Sequence, residues 1–179
     1  KQTWRQCKMA INVKAIRESL LRLAPLILLV YICISEFHTQ FYYWKIFSFN
    51  FQFIIIYYWI LRDPSILGYG FVFLCGIIND VILSLPLGTS PISYLFVSLV
   101  AAYVRNATVR STLFTDWFTF VVAILGGNIF NYFLIQNFTE LKIEYVTVFY
   151  DSMFTFILYP FFWGIFELYK RFIGLRIYD

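Results

Sequence analysis

The residues of this chain that could do chemistry are mostly carboxamides and one carboxylate, all set inside apolar runs. Asp80 follows Asn79 in one run, and Asn128 and Asn131 lie three residues apart in another, hence on one helical face. Buried groups of this kind must be hydrogen-bonded, because an unpaired polar group in an apolar medium is costly. Three roles are open for them: a structural network, a site for a partner helix or small ligand, and a proton relay.

The residues that most enzymes use for catalysis are scarce in this sequence. His38 is the only histidine, and Cys7, Cys33 and Cys75 do not show the spacing of metal ligands. No glycine-rich phosphate loop is present, and the carboxylate spacing does not bring two acidic residues together inside an apolar run. We therefore expect no enzymatic activity, no cofactor and no metal site.

The composition is that of a protein surrounded by lipid. Of 179 residues, 61% are hydrophobic and 13% are charged, whereas soluble domains contain about 45–50% apolar and about 25% charged residues. A soluble domain of this size would have to cover its surface with polar groups. We predict an integral membrane protein with a single domain over residues 1–179. Its net charge of +4 is not arranged as a patch for nucleic acid.

Six apolar runs predict six transmembrane helices and therefore an all-α fold. A helix rises about 1.5 Å per residue and must cross roughly 30 Å of hydrocarbon. The predicted spans are Leu20–Ser35, Ile46–Leu61, Ile66–Ser84, Leu87–Val104, Trp117–Phe138 and Val146–Tyr169.

The basic residues predict the orientation of these spans. Twelve of the 14 Lys and Arg residues fall on one side, and only Lys45 and Lys142 fall on the other. Because cytoplasmic loops are enriched in Lys and Arg, both termini are expected in the cytoplasm, with residues 1–19 forming a basic tail. The aromatic segment 57–59 precedes Arg62 and is expected at the inner membrane interface, where Tyr and Trp side chains collect.

The polar residues of the third and fifth spans have matching depths. Asp80 and Asn131 each lie 14 residues beyond the predicted cytoplasmic ends of their spans, so each should sit about 21 Å into the membrane. Gly76 lies one turn before Asp80, and small residues let helices approach closely enough for polar groups to bond across them. We therefore hypothesise that the third and fifth spans pack together through Gly76, Asp80, Asn128 and Asn131.

The segment 54–106 carries an ordered set of residues over roughly a third of the chain. The set comprises Tyr58 and Trp59, a basic turn with Arg62 and Pro64, Gly68 and Gly70, then Gly76 and Asp80, and finally Pro86, Leu87 and Gly88. This ordered set resembles the MreD family of bacterial rod shape-determining proteins.

The resemblance implies a non-catalytic scaffold in the bacterial inner membrane that belongs to the machinery for lateral cell-wall elongation. It implies binding to the single-span protein MreC, and indirect association with MreB, RodA and a class B penicillin-binding protein. It also implies that Gly76, Asp80, Pro86 and Gly88 are structural signature positions, with Pro86 and Gly88 forming a periplasmic turn near MreC.

The resemblance also supplies a second function. The MreD fold is similar to that of the substrate-binding subunits of energy-coupling-factor vitamin transporters, so a vitamin-binding membrane subunit is the alternative. A protein that handles lipid or the undecaprenyl carrier is a third hypothesis, and it requires a lipid-sized groove.

Overall fold

The computed structural model describes residues 23–34, 49–108, 112–138 and 145–173, and all regular structure in these ranges is helical. The described helices are α1 (Leu23–Ile34), α2 (Phe51–Arg62), α3 (Tyr69–Ile82), α4 (Thr89–Ala107), α5 (Leu113–Phe138) and α6 (Tyr145–Ile173). The predicted all-α class is confirmed, and each helix overlaps its predicted apolar run. The predicted basic tail, residues 1–19, lies outside the described residues.

Helix α2 lies at the centre of the bundle. Every side chain from Phe53 to Leu61 is buried, and the helix packs against α4, α5 and α6. A helix that is apolar on all faces is stable only when other elements surround it. Tyr57, Tyr58 and Trp59, expected at the inner membrane interface, do not form an outward-facing aromatic belt, since each is at most 1% exposed. Their depth in the membrane stays a prediction.

The buried tyrosine hydroxyls of α2 have polar partners on neighbouring helices. The Tyr57 hydroxyl pairs with the Thr119 hydroxyl at 2.6 Å, and the Tyr58 hydroxyl donates to Glu167 at 3.2 Å. A tyrosine can enter a helical core on this condition, because its ring packs while its hydroxyl keeps a hydrogen bond.

The outward faces of α5 and α6 are apolar. Exposed side chains recur every three or four residues: Phe118, Val122, Leu125, Ile129 and Phe133 on α5, and Met153, Ile157, Phe161, Ile165 and Leu168 on α6. Among the described residues, α5 and α6 are the two helices that are both long and apolar enough to cross a membrane, while α1, α2 and α3 are apolar but shorter. The protein thus places much of its apolar surface outside.

Helices α3 and α4 pack so closely that their backbones touch. A Cβ added at Gly76 would lie 2.6 Å from both the Cα and the N of Pro91. Pro91 belongs to the first turn of α4, where a missing N–H breaks no intrahelical hydrogen bond. Glycine at position 76 and proline at position 91 therefore set the distance between the two helices.

We expect Gly76→Ala to destabilise the protein by about 2 kcal/mol, because the new methyl group would meet backbone atoms that cannot move aside. The matched control is Gly70→Ala in the same helix, where an added Cβ meets nothing within 4 Å. Thermal unfolding in a mild detergent measures both variants. Equal melting temperatures for the two variants would contradict the close contact.

Candidate functional site

Asp80 holds the beginning of α4. Its carboxylate is fully buried, and its two oxygens accept hydrogen bonds from the N–H groups of Gly88, at 2.8 Å, and Ser90, at 2.9 Å. The first N–H groups of a helix have no partner within the helix. A negative carboxylate is also favoured at the positive end of the helix dipole. Asp80, at the end of α3, therefore supplies the N-terminal cap of α4.

The backbone of Asp80 also ends α3. Its carbonyl accepts the Leu85 N–H at 2.9 Å, and the Val81 carbonyl accepts the Ser84 N–H at 3.4 Å. With Ser84 at φ 52°, this is the Schellman arrangement that commonly closes a helix. One residue thus terminates one helix through its backbone and starts the next through its side chain.

The predicted turn at Pro86 and Gly88 is a tight connection between α3 and α4. The Pro86 carbonyl accepts bonds from the Thr89 N–H, at 3.2 Å, and from the Thr89 hydroxyl, at 2.8 Å. Gly88 has φ +106°, a conformation that residues with a side chain rarely adopt. These bonds fix the turn's shape, while its location on the periplasmic side stays a prediction.

Asn128 links α5 to two other helices. Its carbonyl oxygen accepts from the Asn50 amide at 3.2 Å, and its own amide donates to the Ser152 hydroxyl at 2.7 Å. The Asn50 backbone N–H in turn donates to Thr155 on α6 at 2.9 Å. Asn128 therefore joins the start of α2 and the first half of α6 to α5.

The four predicted network residues do not form one network. Gly76 and Asp80 contact the start of α4, whereas Asn128 bonds to residues of α2 and α6. The hypothesis that the third and fifth spans pack together is corrected: among the described helices α3 and α5 are not a closely packed pair, and α4 packs against both of them. The side-chain oxygen of Asn131 is buried and has no hydrogen-bond partner in the described part of the chain.

A cavity of about 340 Å³ has one of the four predicted network residues, Asn131, in its wall. Asn79, which donates to the Ser90 hydroxyl at 2.9 Å, lines this cavity together with Asn131. The other polar lining residues are Asn50, Gln52, Ser90, Tyr94, Tyr132 and Asp151. The cavity is the feature of these residues best suited to hold a ligand.

A charged cluster at the opposite ends of the helices was missed by sequence reasoning. Arg62 at the end of α2 forms a salt bridge of 2.9 Å with the fully buried Asp116 of α5. The Arg62 guanidinium also lies 5.7 Å from the centre of the Trp163 ring. Because Arg62 and Asp116 are 54 residues apart, no spacing rule joins them. The sequence did carry one signal for this salt bridge: the two residues have opposite charges and lie at span ends that are predicted on the same side of the membrane.

The described residues offer binding and packing groups rather than a metal centre. No three His, Cys, Asp or Glu side chains among them lie close enough to hold a metal ion. Comparison of the chain with known protein families, with curated proteins and with solved structures finds no match.

We expect Asp80→Asn to lower the melting temperature in detergent by roughly 4–8 °C. The side-chain NH₂ group of Asn would face one of the two backbone N–H groups and could not accept its hydrogen bond. The favourable charge at the start of the α4 dipole would also be lost, and together these changes should lower the free energy of unfolding by about 2 kcal/mol. Asp63→Asn, in the exposed turn before α3, is the control, because among the described residues its side chain accepts hydrogen bonds from Ser65 alone. An Asp80→Asn protein as stable as the control would contradict the capping role.

We expect Asp116→Leu to destabilise the protein by about 3–5 kcal/mol, because Arg62 would be left as a mostly buried, unpaired cation. Adding Arg62→Met to the same protein should restore much of the loss, since both charges are then absent. Chemical denaturation of both single variants and the double variant measures the coupling. Additive losses would show that the two charges do not depend on each other.

Proposed function

We propose that this chain is a multi-pass protein of the bacterial inner membrane. Its six helices cross the bilayer with both termini in the cytoplasm, and it acts as a non-catalytic scaffold of cell-wall elongation that binds MreC. Association with MreB, RodA and a class B penicillin-binding protein follows indirectly through that complex.

The observation that carries the proposal is the ordered residue set of segment 54–106. Its members Gly76, Asp80, Pro86 and Gly88 all take part in one small unit, the contact and turn between α3 and α4. None of these four is placed as a nucleophile or a proton donor toward an open site. Because these four residues fix a helix contact and a turn, they favour a scaffold over an enzyme.

The apolar exterior supports the membrane location. Helix α5 has 26 residues and α6 has 29, so they measure about 39 and 43 Å against roughly 30 Å of hydrocarbon. Helix α2, with 12 residues, measures only about 18 Å. It is enclosed by other helices, so its polar ends can lie within the protein rather than in lipid.

The charges at the helix ends support the orientation. Arg62 ends α2, Arg105 lies in the last turn of α4, and Lys170 and Arg171 lie in the last turn of α6. Arg105 donates to the Ile60 carbonyl at 3.1 Å, so the ends of α2 and α4 lie side by side. A shared basic end is typical of the cytoplasmic face.

The second candidate is the substrate-binding subunit of a vitamin transporter. The observation that favours it is the cavity of about 340 Å³ with its amide and hydroxyl lining. Pockets for small molecules span about 300–1,000 Å³ and hold a few convergent polar groups. Such a subunit would be recovered with a membrane coupling protein and its ATPases.

Affinity purification from gently solubilised native membranes tests the scaffold proposal. We expect MreC and cell-wall synthases to be recovered with the tagged protein. Leu87→Asp, on the 74% exposed side chain of the α3–α4 turn, should reduce MreC recovery by about tenfold, because a charge replaces an apolar contact. Ser65→Asp, on the exposed α2–α3 turn at the other end, should leave recovery unchanged.

Recovery of a coupling protein with ATPases in place of MreC would replace this proposal with the transporter alternative. Equal loss of MreC in both variants would contradict the assignment of the α3–α4 turn to the partner-facing side.

A further inference from the structure

The polar cavity adjoins a second space of different character. A groove of about 520 Å³ runs between α5 and α6, and Tyr132 lines both the groove and the cavity. Asp151 faces the cavity, and the next residue, Ser152, faces the groove. Asn128 forms part of the groove wall and bonds to Asn50, which lines the cavity. The two spaces therefore meet across a thin wall.

The groove is lined almost entirely by hydrocarbon. Its apolar lining residues are Val121, Ile124, Leu125, Ile129, Val148, Phe149, Met153 and Phe156. Leu125, Ile129 and Met153 also belong to the exposed stripes of α5 and α6, and Phe149 is exposed as well. The groove is therefore open along the side that the proposed topology turns toward lipid.

The cavity has the opposite chemistry. It presents four carboxamides, from Asn50, Gln52, Asn79 and Asn131, three hydroxyls and the Asp151 carboxylate. Within the described part of the chain no Lys or Arg lines the cavity, so these residues offer a phosphate or carboxylate no counter-charge. The buried oxygen of Asn131 lacks a partner in the described part of the chain and can accept a hydrogen bond from a hydroxyl group.

The length of the groove is that of one membrane leaflet, and its depth crosses the bilayer centre: measured from Trp117, Val121 lies about 6 Å and Tyr132 about 22 Å into the membrane. Along α5 its lining runs from Val121 to Tyr132, which is about 16 Å of helix. Half of a hydrocarbon core is roughly 15 Å. The cavity begins at Asn131 and Tyr132, where the groove ends, on the side away from the basic helix ends.

We propose that the cavity and the groove together bind one lipid, drawn into the outer half of the membrane below the level of the surrounding head groups. Its uncharged, hydroxyl-rich head group occupies the cavity, and one of its chains lies in the groove between α5 and α6. A lone polar solute would leave the groove unused, and an ordinary annular lipid would leave the cavity unused. The proposal rests on the proposed membrane location, and it does not depend on the role in cell-wall elongation.

Native mass spectrometry of the full-length protein in a mild detergent tests the proposal with defined probes. The probes are glucosyl-dioleoylglycerol, which has a neutral sugar head, dioleoylphosphatidylglycerol, which has the same chains and an anionic head, and free glucose. We expect the glycolipid to bind about tenfold or more tightly than either of the others.

Two variants test the groove for the lipid chain and the cavity for the head group separately. Leu125→Trp should fill the groove and weaken glycolipid binding by about tenfold. The control is Leu99→Trp, on an equally apolar and exposed leucine of α4 outside both spaces. Asn131→Leu should weaken glycolipid binding similarly without lowering the melting temperature, because the side-chain oxygen that it removes has no partner in the described part of the chain.

Two outcomes would overturn the proposal. Glucose binding as tightly as the glycolipid would assign the cavity to a free solute. Equal binding of both lipids by the wild type and all variants would indicate annular lipid only. A large loss of stability in Asn131→Leu would make Asn131 a structural residue. If the glycolipid binds as expected while MreC is not recovered, the lipid site stands and the scaffold proposal fails.

Discussion

The arrangement of this protein depends on one buried carboxylate, that of Asp80. It accepts the N–H groups of Gly88 and Ser90, and it is fully removed from solvent. A buried negative charge is tolerated only where donors and a positive dipole offset the loss of water, and the start of α4 provides both. The carboxylate and the helix start therefore require each other.

The direction of α4 follows from this constraint and positions most of the remaining helices. Capped at Asp80 and held against Gly76 through Pro91, α4 has little freedom to tilt relative to α3. It packs in turn against α2 and α5, so the central helix and the polar cavity take their places beside it. A second tie lies near the opposite ends of the helices, where Arg62 pairs with Asp116 and Arg105 bonds to the Ile60 carbonyl. Polar contacts thus fasten the bundle at both ends around an apolar middle.

Apolar stripes cover the outside of the bundle and polar ties join helices inside it, an arrangement that fits the proposed location in lipid. In lipid, burying apolar side chains gives little driving force between helices, so close packing and interhelical hydrogen bonds carry more of the association. The Asn50–Asn128–Ser152 chain and the Gly76–Pro91 contact are of these two kinds. An exposed surface rich in Phe and Ile is then ordinary rather than an aggregation hazard.

The helices were predictable from the sequence because an apolar run is a local property. Which helices lie side by side could not be predicted, because hydropathy and charge indicate only how far along the membrane normal a residue lies. Asp80 and Asn131 were placed at equal depth, yet α4 packs against both of their helices. Asp80 bonds to the start of α4, whereas the side-chain oxygen of Asn131 has no partner in the described part of the chain. Aromatic character likewise does not distinguish a lipid interface from a core, so the burial of Tyr57 to Trp59 in the core was not predicted. The pairing of Arg62 with Asp116 depends on folding across 54 residues, and the cavity depends on six helices meeting.

Labelling of single cysteines in intact cells tests the central claim, a bundle that crosses the membrane with its two turns on opposite sides. Cysteine would replace Leu87 in the α3–α4 turn or Ser65 in the α2–α3 turn, both exposed, in a protein with Cys7→Ser and with Cys33 and Cys75 left buried. A membrane-impermeant maleimide should label position 87 in intact cells and position 65 only after the membrane is permeabilised. Labelling of both positions from the same side would contradict the account.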